Sequence, residues 1–310
     1  LPYRALLQVD QEDSLGIDAT STPAEDGSGP DGCGAGEIEV AVARLPGISN
    51  FTDFWPLARM PGVRLRYVES GAALGRPDLV ILPGTRTTAR DLQWLRSAGL
   101  AERIEQLARA QDGPDVIGIC GGFQMLGTRI DDPLGVESPW QSVPGLGLLD
   151  VVTRFEATKE RQLVSGQVLE GGRPFSGYEL HMARTERASG VAAWSTITRE
   201  QDGSTQADGA STNAGRVIGT YVHGIFDSLP LCMGLIERLR ARRGLPPIDH
   251  DRWRTHRAAI ASRYDDLAAL LRAHLDLKPV WQAVGHSTPS GLTASRTAGP
   301  ACSQRPDGTP

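Results

Sequence analysis

A thiol stands between glycines where an apolar run breaks and a helical one begins, in Asp115-Val116-Ile117-Gly118-Ile119-Cys120-Gly121-Gly122-Phe123-Gln124-Met125-Leu126-Gly127. A strand that turns directly into a helix must hold the residue between them in a strained backbone, and Gly118 and Gly121 permit that geometry. The first N–H groups of the helix favour negative charge beside them. Cys120 therefore reads as an activated nucleophile. Taken alone, Gly-x-Cys-Gly-Gly is also compatible with a tight turn around a packed thiol, so the rest of the chain decides between the two.

A thiol nucleophile needs a base. The run Arg216-Val217-Ile218-Gly219-Thr220-Tyr221-Val222-His223-Gly224-Ile225-Phe226-Asp227 delivers a histidine from the end of another apolar strand, again beside glycine. A Cys and a His at two such strand ends make His223 the candidate base. A third strand, Asp78-Leu79-Val80-Ile81-Leu82, ends in Pro83-Gly84. The N–H after Gly84 is then available for a developing oxyanion, with a second donor at Gly121. Thr87 or Thr88 is also placed to cap the helix that follows, through Ala89 to Leu95.

Short apolar runs at Glu37–Ala43, Val63–Val68, Asp78–Leu82 and Asp115–Ile119 alternate with helical stretches around Phe51–Arg59, Ala89–Leu95 and Leu100–Ala110. That alternation predicts an α/β fold with a mostly parallel sheet covered on both faces, its active residues beyond the carboxyl ends of the strands. From Leu146 to Ile197 the pattern changes to β-branched alternation with Gly turns, as in Leu148–Phe155 and Gln162–Leu169, which predicts an antiparallel extension. Arg199–Gly215 reads as a surface loop. Leu229–Arg242 and Arg252–His274 have helical spacing, the second with a stripe of Trp253, Ala259, Ile260, Tyr264, Leu267, Leu270 and Leu271.

The expected organisation is a flexible linker at 19–36, the main domain at 37–228, C-terminal helices at 229–277 and a disordered tail at 278–310. Net charge is −5 and no apolar run approaches the ~20 residues of a membrane span, which argues against nucleic-acid and membrane partners. The cysteines at 33, 120, 232 and 302 are far apart and form no Cys-x-x-Cys pair, so neither a disulfide framework nor a metal site is expected. With no secretory leader at the first residues, the cytoplasm is the expected compartment.

The order Leu-Pro-Gly, Gly-Ile-Cys-Gly-Gly-Phe-Gln, Tyr-Val-His-Gly resembles the class I glutamine amidotransferases, and more narrowly their cobyric acid synthase branch. Four further runs are similar to that branch in the same order: Leu45-Pro46-Gly47-Ile48-Ser49-Asn50-Phe51-Thr52-Asp53-Phe54, Asp132-Pro133-Leu134-Gly135-Val136-Glu137-Ser138, Gly145-Leu146-Gly147-Leu148-Leu149 and Gly177-Tyr178-Glu179-Leu180-His181-Met182. The resemblance implies a glutaminase that releases ammonia for a synthetase domain. That domain would use ATP and Mg to amidate the b, d, e and g carboxylates of adenosylcobyrinic acid a,c-diamide in cobalamin biosynthesis. Carried over by position, Cys120 attacks the amide, His223 moves protons, Gly84 and Gly121 line the oxyanion hole, and Gln124 helps to hold glutamine. The alternatives are the glutaminase domain of cobyrinic acid a,c-diamide synthase, or a non-catalytic remnant or another cysteine hydrolase of the same fold.

Most class I members carry a glutamate two residues after the histidine, where this chain has Ile225. The resemblance therefore implies a Cys-His dyad, with Glu179 or a backbone carbonyl left to orient the imidazole. Residues 1–18 resemble the end of the synthetase domain, yet no Gly-x-x-x-x-Gly-Lys-[Ser/Thr] occurs in the 310 residues. No cofactor is expected in this chain, and ATP and Mg belong to the synthetase part.

Overall fold

The computed structural model describes residues 36–249 except 213–214, and residues 265–283. The expected remnant at 1–18, all but the last residue of the linker at 19–36, Cys33, Cys302 and the tail from residue 284 lie outside the described residues.

Along the chain come β1 (Ile38–Ala43), a 3-10 turn (Phe51–Phe54), α1 (Trp55–Ala58), β2 (Val63–Val68), α2 (Gly71–Leu74), β3 (Leu79–Leu82), α3 (Thr88–Ser97), α4 (Leu100–Arg109), β4 (Asp115–Ile119) and α5 (Gly121–Leu126). Then follow β5 (Arg129–Asp131), β6 (Ser142–Pro144), β7 (Val151–Val168), β8 (Pro174–Arg187), β9 (Ser195–Arg199), β10 (Thr205–Asp208), β11 (Ala210–Ser211), β12 (Val217–Thr220), β13 (Val222–His223) and α6 (Leu229–Arg242).

The main sheet has the order β11-β12-β4-β3-β1-β2, and all its pairings are parallel except β11–β12. Every residue of β1, β3, β4 and β12 is buried. Continuous apolar runs of this kind are what a parallel sheet covered on both faces requires. A second sheet runs β10-β9-β7-β5-β6, with β8 paired to both β7 and β13. The two stretches that predict the antiparallel extension, Leu148–Phe155 and Gln162–Leu169, fall mostly within one long strand, β7, whose register against β8 shifts between Phe155 and Glu160.

Two expectations are corrected by the packing. The helix expected around Phe51–Arg59 is a 3-10 turn followed by a single α turn starting at Trp55, with Pro56 in its first turn. A proline cannot donate the bond that would join the two turns into one helix. Arg199–Gly215 is not simply a loop, because it holds β10 and β11 and buries Asp208 to 4% exposure. Asp208 accepts from Thr220 Oγ1 at 2.5 Å and from the Tyr221 N–H at 3.2 Å, bonds that a count of local polar residues does not reveal.

Helix α6 matches its expected bounds and is fastened to the amino ends of β3 and β4. Arg238 and Arg242 meet the fully buried Asp115 at 2.6 and 2.5 Å, and Arg243 meets Asp78 at 2.9 Å. As a separate unit, residues 265–274 are helical and Lys278–Ala283 form a short helix inside the stretch expected to be an unstructured tail. Within the expected stripe, Leu267, Leu270 and Leu271 are half-buried, and Trp253, Ala259, Ile260 and Tyr264 lie outside the described residues.

Candidate active site

Four adjacent strands, β12, β4, β3 and β1, run parallel, so the residues that follow their carboxyl ends are brought together at one edge of the sheet. Cys120 follows β4 with φ 51° and ψ −108°. A left-handed backbone at a non-glycine residue is costly and marks a position held by its surroundings. The turn is tight because α5 lies directly on the sheet: a Cβ on Gly118 would come within 2.6 Å of the Gly122 backbone, and one on Gly122 would collide with the Leu82 carbonyl. Only glycines admit that approach. The Cys120 thiol is 7% exposed and lies 3.5 Å from the Leu180 carbonyl oxygen.

His223 follows β12 by way of β13, which pairs with β8 at Tyr178. Its ring stacks on Tyr178 at 5.1 Å with 17° between the planes. Nδ1 lies 2.7 Å from Asp53 Oδ2, and the other Asp53 oxygen accepts the Gly224 N–H at 3.1 Å. Burial lowers the pKa of His223. The hydrogen bonds to Asp53 and to the Cys120 side chain outweigh it and raise the pKa to about 10.

Asp53 corrects the expectation of a bare Cys-His dyad, since the arrangement is Cys120–His223–Asp53. Position 225 cannot supply the acid, because the Ile225 side chain is 1% exposed inside the core. Glu179 does not face His223 either; its carboxylate lies 3.5 Å from His181 on one oxygen and 3.5 Å from Arg199 on the other. Asp53 sits in Phe51-Thr52-Asp53-Phe54, a run already notable for its similarity to other proteins. The physical signal was an acid between two phenylalanines that are now both buried, since a carboxylate there needs a partner inside the fold.

The loop from Leu45 to Asp53 is knitted to the loop after β3. Ser49 N–H donates to the Gly84 carbonyl at 2.9 Å, Arg86 N–H donates to the Gly47 carbonyl at 3.1 Å, and Gly47 N–H donates to the Asp91 carboxylate at 3.1 Å. Asn50, with φ 52°, brings its amide within 3.4 Å of both His223 ring nitrogens. Gly84 lies against the imidazole, where an added Cβ would stand 2.7 Å from Cε1. The donor this loop offers is the Thr85 N–H, which lies 3.2 Å from where a Cβ on Gly121 would sit. Thr85 and Gly121 are thus close neighbours beside Cys120.

Gln124 is one turn into α5 and 2% exposed; its Oε1 accepts from Thr88 Oγ1 at 2.9 Å, and its Nε2 donates to the Tyr221 hydroxyl at 3.5 Å. The side chain expected to hold substrate is thus already tied at both ends to the wall of the site. Thr87 is the residue before α3, but no side-chain cap bond forms there, and the Ala89 N–H donates to Glu137 instead. Cys232 is buried and donates to the Phe226 carbonyl at 2.9 Å, away from this constellation. Among the described residues no group of three or more His, Cys, Asp or Glu is placed to hold a metal ion, and no helix is long and apolar enough to cross a membrane.

Residues 39–230 match the model of the CobB/CobQ-like glutamine amidotransferase domain. Curated relatives include the cobyric acid synthase of Sorangium cellulosum (strain So ce56), 42% identical over 92% of this chain and 56% of that protein. The cobyric acid synthase of Pelotomaculum thermopropionicum is 42% identical over 92% of this chain and 54% of that protein. That of Moorella thermoacetica is 44% identical over 83% of this chain and 50% of that protein. The chain spans about half the length of the curated relatives it matches. With the match extending across the whole main sheet and the elbow, the chain belongs to the CobB/CobQ-like glutamine amidotransferase family.

Proposed function

We propose that this chain is the glutaminase part of a cobyric acid synthase, hydrolysing glutamine to glutamate and ammonia through Cys120, His223 and Asp53. The observation that carries the reading is the His223 ring, held at Nδ1 by the Asp53 carboxylate and near enough to Cys120 for that side chain to help raise its pKa. Cys120 gives its proton to His223, and its sulfur attacks the side-chain amide carbon of glutamine. Negative charge gathers on the amide oxygen, where the Thr85 and Gly121 N–H groups donate to it. His223 then returns the proton to the amide nitrogen, the C–N bond breaks, and ammonia leaves behind a thioester on Cys120. A water molecule gives a proton to His223 and attacks the thioester carbon; glutamate departs and the thiol is restored.

Asp53 fixes the Nδ1–H tautomer, so that Nε2 faces the thiol, and it stabilises the imidazolium formed in each half. The ammonia would serve ATP-dependent amidation of the b, d, e and g carboxylates of adenosylcobyrinic acid a,c-diamide. ATP, Mg and the corrin would be held by a synthetase part corresponding to the remaining half of the relatives' length. Similarity to three cobyric acid synthases over most of this chain supports that choice within the family.

The test is glutamate release by the purified chain together with thiol labelling by a diazo-ketone analogue of glutamine. Cys120→Ala should abolish both and leave the fold intact. Labelling at Cys232, or unchanged glutamate release from the alanine variant, would overturn the assignment.

A further inference from the structure

The mechanism above leaves one conspicuous run unused, Asp132-Pro133-Leu134-Gly135-Val136-Glu137-Ser138. Here Asp132 is buried and its carboxylate accepts three successive backbone N–H groups, from Val136 at 2.7 Å, Glu137 at 2.9 Å and Ser138 at 2.8 Å. Those bonds hold the Asp132 carboxyl below the usual range despite its burial. They also fold the turn that carries the half-buried Glu137.

Glu137 Oε1 accepts the Ala89 N–H at 3.2 Å and Oε2 accepts from Thr88 Oγ1 at 3.2 Å. The single Thr88 hydroxyl proton is shared with Gln124 Oε1, at the shorter distance of 2.9 Å, and Oγ1 would lie 3.1 Å from a Cβ on Gly121, the residue after the nucleophile. The Glu137 carboxylate is thus two contacts from the elbow, on the wall that Gln124 and Thr88 form. Among the described residues no Lys, Arg or His lies within ion-pair distance of it. Burial raises its pKa to about 7, only partly offset by the Ala89 and Thr88 bonds. A carboxylate sheltered in this way without a cation lacks a counter-charge.

Glutamine supplies one. With its amide carbon at Cys120, its α-ammonium group sits about 5 Å further along the extended chain. The buried acids nearby are already engaged: Asp53 by His223 and Gly224, Asp91 by Gly47 and Thr85, and Glu179 faces Arg199 and His181.

We propose that Glu137 recognises the α-ammonium group of glutamine, and so selects an α-amino acid amide over a simple carboxylic amide. This rests on the glutaminase reading. Glu137 in this role determines specificity and takes no part in proton transfer at the reacting amide.

Glu137→Gln keeps the size and the oxygen that caps α3, so the fold should be retained, and thermal melting checks this. The expected result is a KM for glutamine raised about 10- to 100-fold, the span of one charge-assisted hydrogen bond, with kcat within about threefold. Hydrolysis of 4-carbamoylbutanoate, which has the same amide and no α-amino group, should be unchanged by the substitution. A merely structural role would weaken both substrates alike or lower kcat, and either result overturns the proposal.

Calorimetric binding of glutamine to Cys120→Ser, with and without Glu137→Gln, separates recognition from catalysis. A tenfold or greater loss of affinity on adding Glu137→Gln supports the proposal even if the wild-type chain proves not to hydrolyse glutamine, and equal affinities overturn it.

Discussion

Replacing Asp53 by Asn tests the catalytic arrangement most directly, because the geometry dictates which way the new amide must point. One Asp53 oxygen accepts the Gly224 N–H at 3.1 Å and the other faces His223 Nδ1 at 2.7 Å. The Gly224 amide can only donate, so the Asn oxygen must take that place and the NH₂ group must turn towards Nδ1. The imidazole is then forced into the tautomer with its proton on Nε2, facing Cys120, where it cannot accept the thiol proton.

Two losses combine in this variant. The carboxylate–imidazolium bond, worth about 1.5–3 kcal/mol when charge-assisted, disappears, and the base starts in the wrong tautomer. Together these predict a fall in kcat of roughly 10²–10⁴, with KM for glutamine nearly unchanged.

The ring should also titrate nearer its ordinary value of ~6.5 instead of about 10. A pKa raised by folding stabilises fully below the unfolded value and progressively less as pH rises through the folded one. The Tm difference between wild type and variant should therefore be greatest below about pH 6.5 and shrink towards pH 10. Steady-state glutamate release, melting curves across that window and an NMR titration of the ring measure all three. A variant whose kcat stays within threefold of wild type would refute the role of Asp53, whatever its melting behaviour.

Two further substitutions probe the frame around the site. Ile225→Glu puts a charge two residues after the histidine, where the side chain is 1% exposed and Asp53 already holds His223. Destabilisation of about 3–5 kcal/mol is expected, a fall in Tm of roughly 10 °C or more; a soluble variant that melts like wild type and gains activity would contradict this. Asp115→Asn weakens the attachment of α6 at 2.6 and 2.5 Å. Both guanidinium groups are at least a third exposed, so the expected cost is only about 1–2 kcal/mol, read as a Tm lower by roughly 4 °C with glutaminase activity unchanged.

Much of this was legible in the chain itself. Gly118, Gly121 and Gly122 around a thiol between a strand and a helix have few foldings other than an elbow, because that crossing brings the Gly122 Cα side against the Leu82 carbonyl. The buried strands β1, β3, β4 and β12 announced themselves as short apolar runs, and α6 by its spacing, since both patterns are set by neighbours in sequence.

What only the tertiary structure decided is which distant groups complete the site. Asp53 and His223 are 170 residues apart and meet because β1, β3, β4 and β12 lie side by side and end at one edge. Glu137 comes to the wall of the site through a turn built by Asp132, not through any periodicity. A buried carboxylate must find a donor or a cation, and local sequence states that need without naming the partner. Strand order supplies the name, because it alone sets which loops face each other.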